Sequence, residues 1–132
     1  MDEGEIRAWF EQYLKVLAAL GCGETDDLRA VLGYYGVPLL VATDDAVQAL
    51  TAEDDVIGFA GQQVEAMRAT SVDRIETMAC EITALNANAV LYRGDFARQR
   101  SDGSQVARLR VTYLITNGEV GFRISVAVIH TP

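Results

Sequence analysis

Between Arg74 and His130 the chain carries four runs in which apolar and polar residues alternate, with three short turn groups between them. The run "RIETMACEITAL" gives way at "NAN" to "AVLYRGDFARQR". That run gives way at "SDGS" to "QVARLRVTYLIT", and this at "NGE" to "VGFRISVAVIH". A period of two places one residue set on each face of a strand, and Asn-, Asp- and Gly-rich turns of this length close hairpins. Four long strands joined so tightly predict an antiparallel meander. On the third strand Leu109, Val111, Tyr113 and Ile115 alternate with Arg108, Arg110, Thr112 and Leu114. The first set is expected to face the core and the second to face outward.

A meander with one apolar face needs a cover, and the first half of the chain supplies it. In "EIRAWFEQYLKVLAALG" the residues Ile6, Trp9, Phe10, Tyr13, Leu14, Leu17 and Leu20 follow three-and-four spacing, the stripe of an amphipathic helix. Gly21 and Gly23 suit its end. A short second helix is predicted over "TDDLRAVL", with Thr25 or Asp26 as its cap. "VPLLVAT" reads as a buried strand with Pro38 at its start or on an edge, because proline cannot donate to a ladder. "DDAVQAL" then turns into a brief second strand. Thr51, with Asp54 three residues on, opens a third helix whose stripe is Val56, Phe59, Ala60, Gln63, Val64 and Met67. Helices on one face of an antiparallel sheet make an α+β fold, and 132 residues suit a single domain, 1–132.

Charge and cysteine usage exclude several function classes. A net charge of −8 argues against binding nucleic acid or docking on anionic membranes, which both need clustered Lys and Arg. "MDEGEIRAWF" has neither a basic start nor a long apolar run, so no signal peptide is expected, and the apolar runs are too short to span a bilayer. Cys22, Cys80 and His130 lack metal-ligand spacing. No metal or cofactor is expected, and two free thiols fit a cytoplasmic location.

This order of elements resembles the NTF2-like superfamily, and within it the SnoaL-like and ketosteroid-isomerase-like proteins. The resemblance covers nearly the whole chain. It is carried by the first helix with Trp9 and Tyr13, by "DDLRAVLGYY" leading into "VPLLV", and by the helix after Thr51. The closing pattern "RSDGS…VTYLIT…GFRISVAVIH" adds to it, with Phe122 where relatives commonly have Trp. It implies a cone-shaped, cystatin-like fold: a curved sheet wrapped over three helices around a cavity open at one end. Such proteins include isomerases, dehydratases, epoxide hydrolases, polyketide cyclases and members with no catalysis, so fold alone assigns no reaction.

In ketosteroid isomerases a first-helix tyrosine donates to the oxyanion and an Asp after the first strand moves the proton. The resemblance carries the first role to Tyr13 and the second to Asp44, with Thr43 an equally good fit by spacing. No Asp stands on "QVARLRVTYLIT" for the third member of that set. The alternative for "TDD" is a solvated turn. His130, the one histidine, has the parity of Phe122, Ile124, Val126 and Val128. That parity predicts the buried face and makes it a second candidate base; the alternative is a frayed end residue. Arg98 and Arg100 share a strand face with Tyr92 and Phe96, while Arg93 and Asp95 share the other. Cross-strand pairing with Glu81, Asp102 or Arg108 is the expected use of these charges.

Stripe and parity aim Trp9, Tyr13, Val41, Phe59, Gln63, Met67 and Tyr113 toward one mostly apolar cavity. Two functions follow. One is an isomerase, cyclase or hydrolase acting on a small apolar or polycyclic substrate. The other is a non-catalytic ligand-binding or dimerisation module. A homodimer through the outer sheet face is expected in either case. There Arg108, Arg110, Thr112 and Leu114 should neighbour Arg123, Ser125, Ala127 and Ile129, a surface poor in Lys and Glu.

Overall fold

A computed structural model describes residues 2–131. The chain opens with helix α1 (Glu3–Gly21), whose N-cap Asp2 accepts a hydrogen bond from the Gly4 backbone N–H at 3.0 Å. A 3-10 helix follows (Leu28–Gly33), then strands β1 (Tyr35–Ala42) and β2 (Val47–Leu50) and helix α2 (Glu53–Ala69). Four long strands close the chain: β3 (Arg74–Asn86), β4 (Ala89–Gln99), β5 (Gln105–Gly118) and β6 (Gly121–Ile129). The architecture is α+β, a curved six-stranded sheet over three helices, with strand order β2-β1-β6-β5-β4-β3. The meander is antiparallel throughout, and β1 joins it by pairing parallel to β6. Neither α1 nor α2 is long and apolar enough to cross a membrane.

The turn residues act as their chemistry predicts. Asn86 Oδ1 accepts from the Asn88 N–H at 2.7 Å, and Asp102 Oδ1 from the Ser104 N–H at 2.8 Å. Gly103 and Gly121 hold φ of 86° and 92°, which glycine adopts without strain.

The elements differ from expectation at four places. The segment "TDDLRAVL" makes only a 3-10 helix of six residues. Its entry is fixed from outside, by Arg68 of α2. That guanidinium reaches the Leu20 carbonyl at 3.0 Å, capping the end of α1, and Asp26 Oδ1 at 2.8 Å. Second, α2 begins after Ala52 rather than at Thr51: Asp55, not Asp54, stands at the third position and accepts from the Ala52 N–H at 3.3 Å.

Third, β1 starts at Tyr35, so Pro38 lies inside it. The ladder to β6 is interrupted between Tyr35 and Leu40, and β2 pairs only with Leu39–Ala42, so the missing proline N–H breaks no bond. Fourth, β6 bulges at Ser125: Ile115 pairs Ile124 while Leu114 pairs Val126. One extra residue reverses parity. Ala127 is therefore buried, Ile129 lies on the inner side, and Val126, Val128 and His130 turn outward.

The core lies between the helices and the inner sheet face, and aromatic rings dominate it. Phe10 stacks on Tyr92 at 4.1 Å between centroids and on Phe96 at 5.8 Å. It also meets Tyr113 at 4.9 Å and Tyr13 at 5.3 Å. Gly94 makes room for this group, because a Cβ there would run into the Phe96 ring. At Gly21 a Cβ would lie 2.5 Å from Met67 Cε, so glycine sets how closely α1 approaches α2. Glu11 accepts from Thr77 Oγ1 at 2.9 Å and Arg7 donates to Cys80 Sγ at 2.7 Å, tying α1 to β3.

Candidate functional site

Beside this core α1, α2 and the inner sheet face leave a cavity of about 70 Å³. Leu17, Phe59, Leu109, Val111, Ala127 and Ile129 give it apolar walls. Five polar side chains enter the lining: Tyr13 of α1, Tyr35 of β1, Gln63 of α2, Arg98 of β4 and Tyr113 of β5. Each arrives for a local reason. Tyr13 lies one turn after Phe10 on the buried stripe, and Gln63 one turn after Phe59. Arg98 has the strand parity of Tyr92 and Phe96, and Tyr113 that of Val111 and Ile115.

The hydroxyls of Tyr13 and Tyr35 are hydrogen-bonded to each other. Burial pushes the Tyr13 phenol well above its ordinary value, helped by Tyr35 and Tyr113. Burial likewise pushes Tyr35 up to about 12, against the opposing pull of its bond to Tyr13 and of the Arg98 charge. Tyr113 is raised further, again chiefly by burial. All three therefore stay neutral and keep their protons to donate. Arg98 is half-buried and donates from Nη2 to Gln63 Oε1 at 2.8 Å. Burial lowers its pKa, but a guanidinium remains charged in a protein.

Four of the candidates named from the sequence thus meet in one cavity: Tyr13, Phe59, Gln63 and Tyr113. The others do not line it. Trp9 is half-buried one turn before Tyr13 on α1, packed 5.5 Å from Tyr34 and 5.8 Å from Phe122. Val41 and Met67 are buried in the core, Met67 against Gly21.

Asp44 is exposed in the β1–β2 turn and accepts from Thr131 Oγ1 at 2.5 Å. Thr43 organises that turn by accepting from the Asp45 and Ala46 N–H groups. The "TDD" stretch is therefore a solvated turn here. His130 follows the reversed parity of β6, and its Nε2 is bonded to Thr112 Oγ1 at 2.7 Å on the outer face. A proton carrier must come within hydrogen-bond reach of the reacting atom. Neither Asp44 nor His130 lies at this cavity.

Sequence reasoning overlooked Arg98 and Tyr35. The signal for Arg98 was in hand, since its shared face with Tyr92 and Phe96 put a charge at an inner position. Tyr35 was hidden by placing the strand's start at Val37.

A second, open depression of about 830 Å³ lies beside the break in the β1–β6 ladder, bordered by Val37, Pro38, Leu40, Thr116 and Arg123. It is larger but open, and it lacks converging buried polar groups. Among the described residues no cluster of three or more His, Cys, Asp or Glu is placed to hold a metal.

No curated protein matches the chain. Solved structures do, at low identity. A domain of unknown function with a cystatin-like fold from Nostoc punctiforme matches with TM-score 0.72 and 16% identity, over 99% of this chain and 77% of that one. An NTF2-like superfamily protein from Salmonella enterica matches with TM-score 0.68 and 16% identity, over 98% and 89%. Aln2 from a Streptomyces species matches with TM-score 0.66 and 13% identity, over 98% and 93%. At these identities the likeness concerns the fold. A family model described as NTF2-like protein (DUF6841) matches residues 2–132, and the chain belongs to that NTF2-like family.

Proposed function

We propose that this chain is a small-molecule-binding protein, acting as one cytoplasmic domain, that takes its ligand into the cavity between α1, α2 and the inner sheet face. The observation that supports this is the convergence of Tyr13, Tyr35, Gln63, Arg98 and Tyr113 on a space otherwise walled by apolar side chains. Few polar groups in an apolar recess are the usual make-up of a ligand site. The space is far below the roughly 300–1,000 Å³ of drug-sized sites, which favours a small ligand over a polycyclic one. A fragment screen by saturation-transfer NMR tests the reading. Hits should lose affinity roughly tenfold or more in Leu109→Trp, where the indole fills the recess, a change of about 1.4 kcal/mol. Hits unaffected by that variant refute the cavity as the site.

A catalytic reading, as isomerase, cyclase or hydrolase, is favoured by one observation. The Tyr13–Tyr35 hydroxyl pair sits in the cavity and keeps a proton to offer a developing oxyanion. On any substrate that turns over, Tyr13→Phe should lower kcat by roughly tenfold or more, as for loss of a proton-donating group. Unchanged kcat leaves binding alone.

The same proposal includes a homodimer through the outer sheet face. After the bulge the register lines up Leu40, Val126, Leu114 and Leu91 across four strands, a continuous aliphatic row. Leu40 is 38% exposed, and Val128 beside it 40%. Light scattering at micromolar concentration should report a dimer, and Leu114→Glu should shift it to monomer by placing a charge in the row's centre. A monomer in the unmodified protein refutes this interface.

A further inference from the structure

We infer that the cavity ligand is a small monocarboxylate, whose carboxylate sits on Arg98 and whose apolar tail lies against Phe59, Leu109 and Val111. The inference rests on the cavity-binding reading and deepens it. Its ground is an imbalance of charge and hydrogen bonding inside the recess.

A guanidinium carries five N–H donors and no acceptor. Among the described residues Arg98 forms no ion pair and one side-chain hydrogen bond, to Gln63 Oε1. The carboxylates on nearby elements are engaged elsewhere. Asp95 takes a two-point bond from Arg108 on the outer face, with its carboxyl held below the usual range by that contact. Glu76 accepts from Gln99 Nε2 at 2.7 Å, and Glu11 accepts from Thr77.

The other polar groups of the lining are donors too. Gln63 uses its carbonyl on Arg98, which turns its amide N–H₂ free. Of the Tyr13–Tyr35 pair one hydroxyl proton is spent on the other, and one remains. Tyr113 Oη has no hydrogen-bond partner among the described residues. Among the described residues only Tyr92 Oη is fully buried without a partner, so the spare donors of Arg98, Gln63 and Tyr113 are still open to an incoming guest. A neutral apolar guest would leave every one of these donors unpaired. An anion answers the charge and accepts from all of them.

Two features choose a carboxylate among anions. The planar fork of Arg98 matches a carboxylate through two parallel bonds. The apolar walls beside it solvate a hydrocarbon tail, which inorganic phosphate lacks.

The test is an NMR titration of the native chain with propanoate, small enough for this recess, with its neutral isostere propanamide, and with inorganic phosphate, repeated in Arg98→Gln and Arg98→Lys. Propanoate should bind roughly tenfold or more tightly than propanamide or phosphate, about 1.4 kcal/mol or more. Arg98→Gln should abolish the preference over propanamide, and Arg98→Lys, which keeps the charge, should retain part of it. Equal binding of propanoate and propanamide by the native chain overturns the carboxylate and leaves cavity binding standing. Phosphate binding as tightly as propanoate overturns the tail. A preference that survives in Arg98→Gln overturns the role of Arg98. Binding by none of the three overturns this inference, while fragment hits sensitive to Leu109→Trp would still uphold the cavity.

Discussion

Replacing Phe10 with alanine lowers the unfolding free energy by about 3–5 kcal/mol, the range for deleting a fully buried phenyl ring. Phe10 has no exposed surface and lies against five other aromatic rings, two of them stacked. The void left behind is walled by rings held on two different elements, α1 and the sheet, so it cannot collapse easily. Alanine is the best helix former, so none of the loss comes from α1 itself. Native domains carry only about 5–15 kcal/mol in total, so this single change removes a large share. Urea unfolding followed by circular dichroism measures it. A loss below about 1 kcal/mol would mean that the ring cluster is not the centre of the core. The same variant enlarges the space beside Tyr13 and Tyr113, so it also links the core to the candidate site.

The long strands were legible because their turns carry their own chemistry. Asn86, Asp102 and Gly121 fix the hairpins locally, and parity then sorts Val111, Tyr113 and Ile115 from Arg108 and Arg110. What parity could not foresee was the bulge at Ser125. Serine fits a strand as well as a bulge, and the need for the extra residue comes from how β6 sits between β5 and β1. That one residue moved His130 from the expected inner face to the outer one. Similarly, Thr51 and Asp54 have the spacing of a capping box, yet the end of β2 at Leu50 places the helix start one residue later.

The site was half legible. Tyr13, Phe59, Gln63 and Tyr113 follow from helical stripe and strand parity, which are local properties. The role of Asp44 rests on a family resemblance, which fixes neither a turn's direction nor its distance from a cavity. Arg98 shows the opposite case. Its inner-face position could be read from the sequence, but its meaning depends on which carboxylates lie nearby. That is decided by the pairing of Asp95 on β4 with Arg108 on β5 and of Gln99, also on β4, with Glu76 on β3.

Raising the pH should unfold the protein cooperatively, with tyrosinate formation and loss of secondary structure in one transition. Tyr13, Tyr35, Tyr92 and Tyr113 are all buried, and burial is the leading cause that raises each of them above the ordinary phenol value. In the unfolded chain the same groups titrate near pH 10. Below that pH both states hold the phenolic protons, and stability is fully present. Above it the unfolded chain releases protons that the native chain retains, so stability falls as pH rises through 10 toward about 12, where Tyr35 itself would ionise.

Each such tyrosine contributes a slope of up to about 1.4 kcal/mol per pH unit, so four acting together remove up to roughly 5 kcal/mol per unit. Against a total of about 5–15 kcal/mol, the native state is exhausted within roughly one to three units above pH 10. Absorbance at the tyrosinate band and far-ultraviolet circular dichroism, recorded on the same samples, should then change together. Tyr35→Phe removes one proton-releasing group and should make the transition shallower. Gradual ionisation of all four groups with the circular dichroism intact would show instead that their hydroxyls reach water in the folded state. It would also remove the neutral donors on which the candidate site depends.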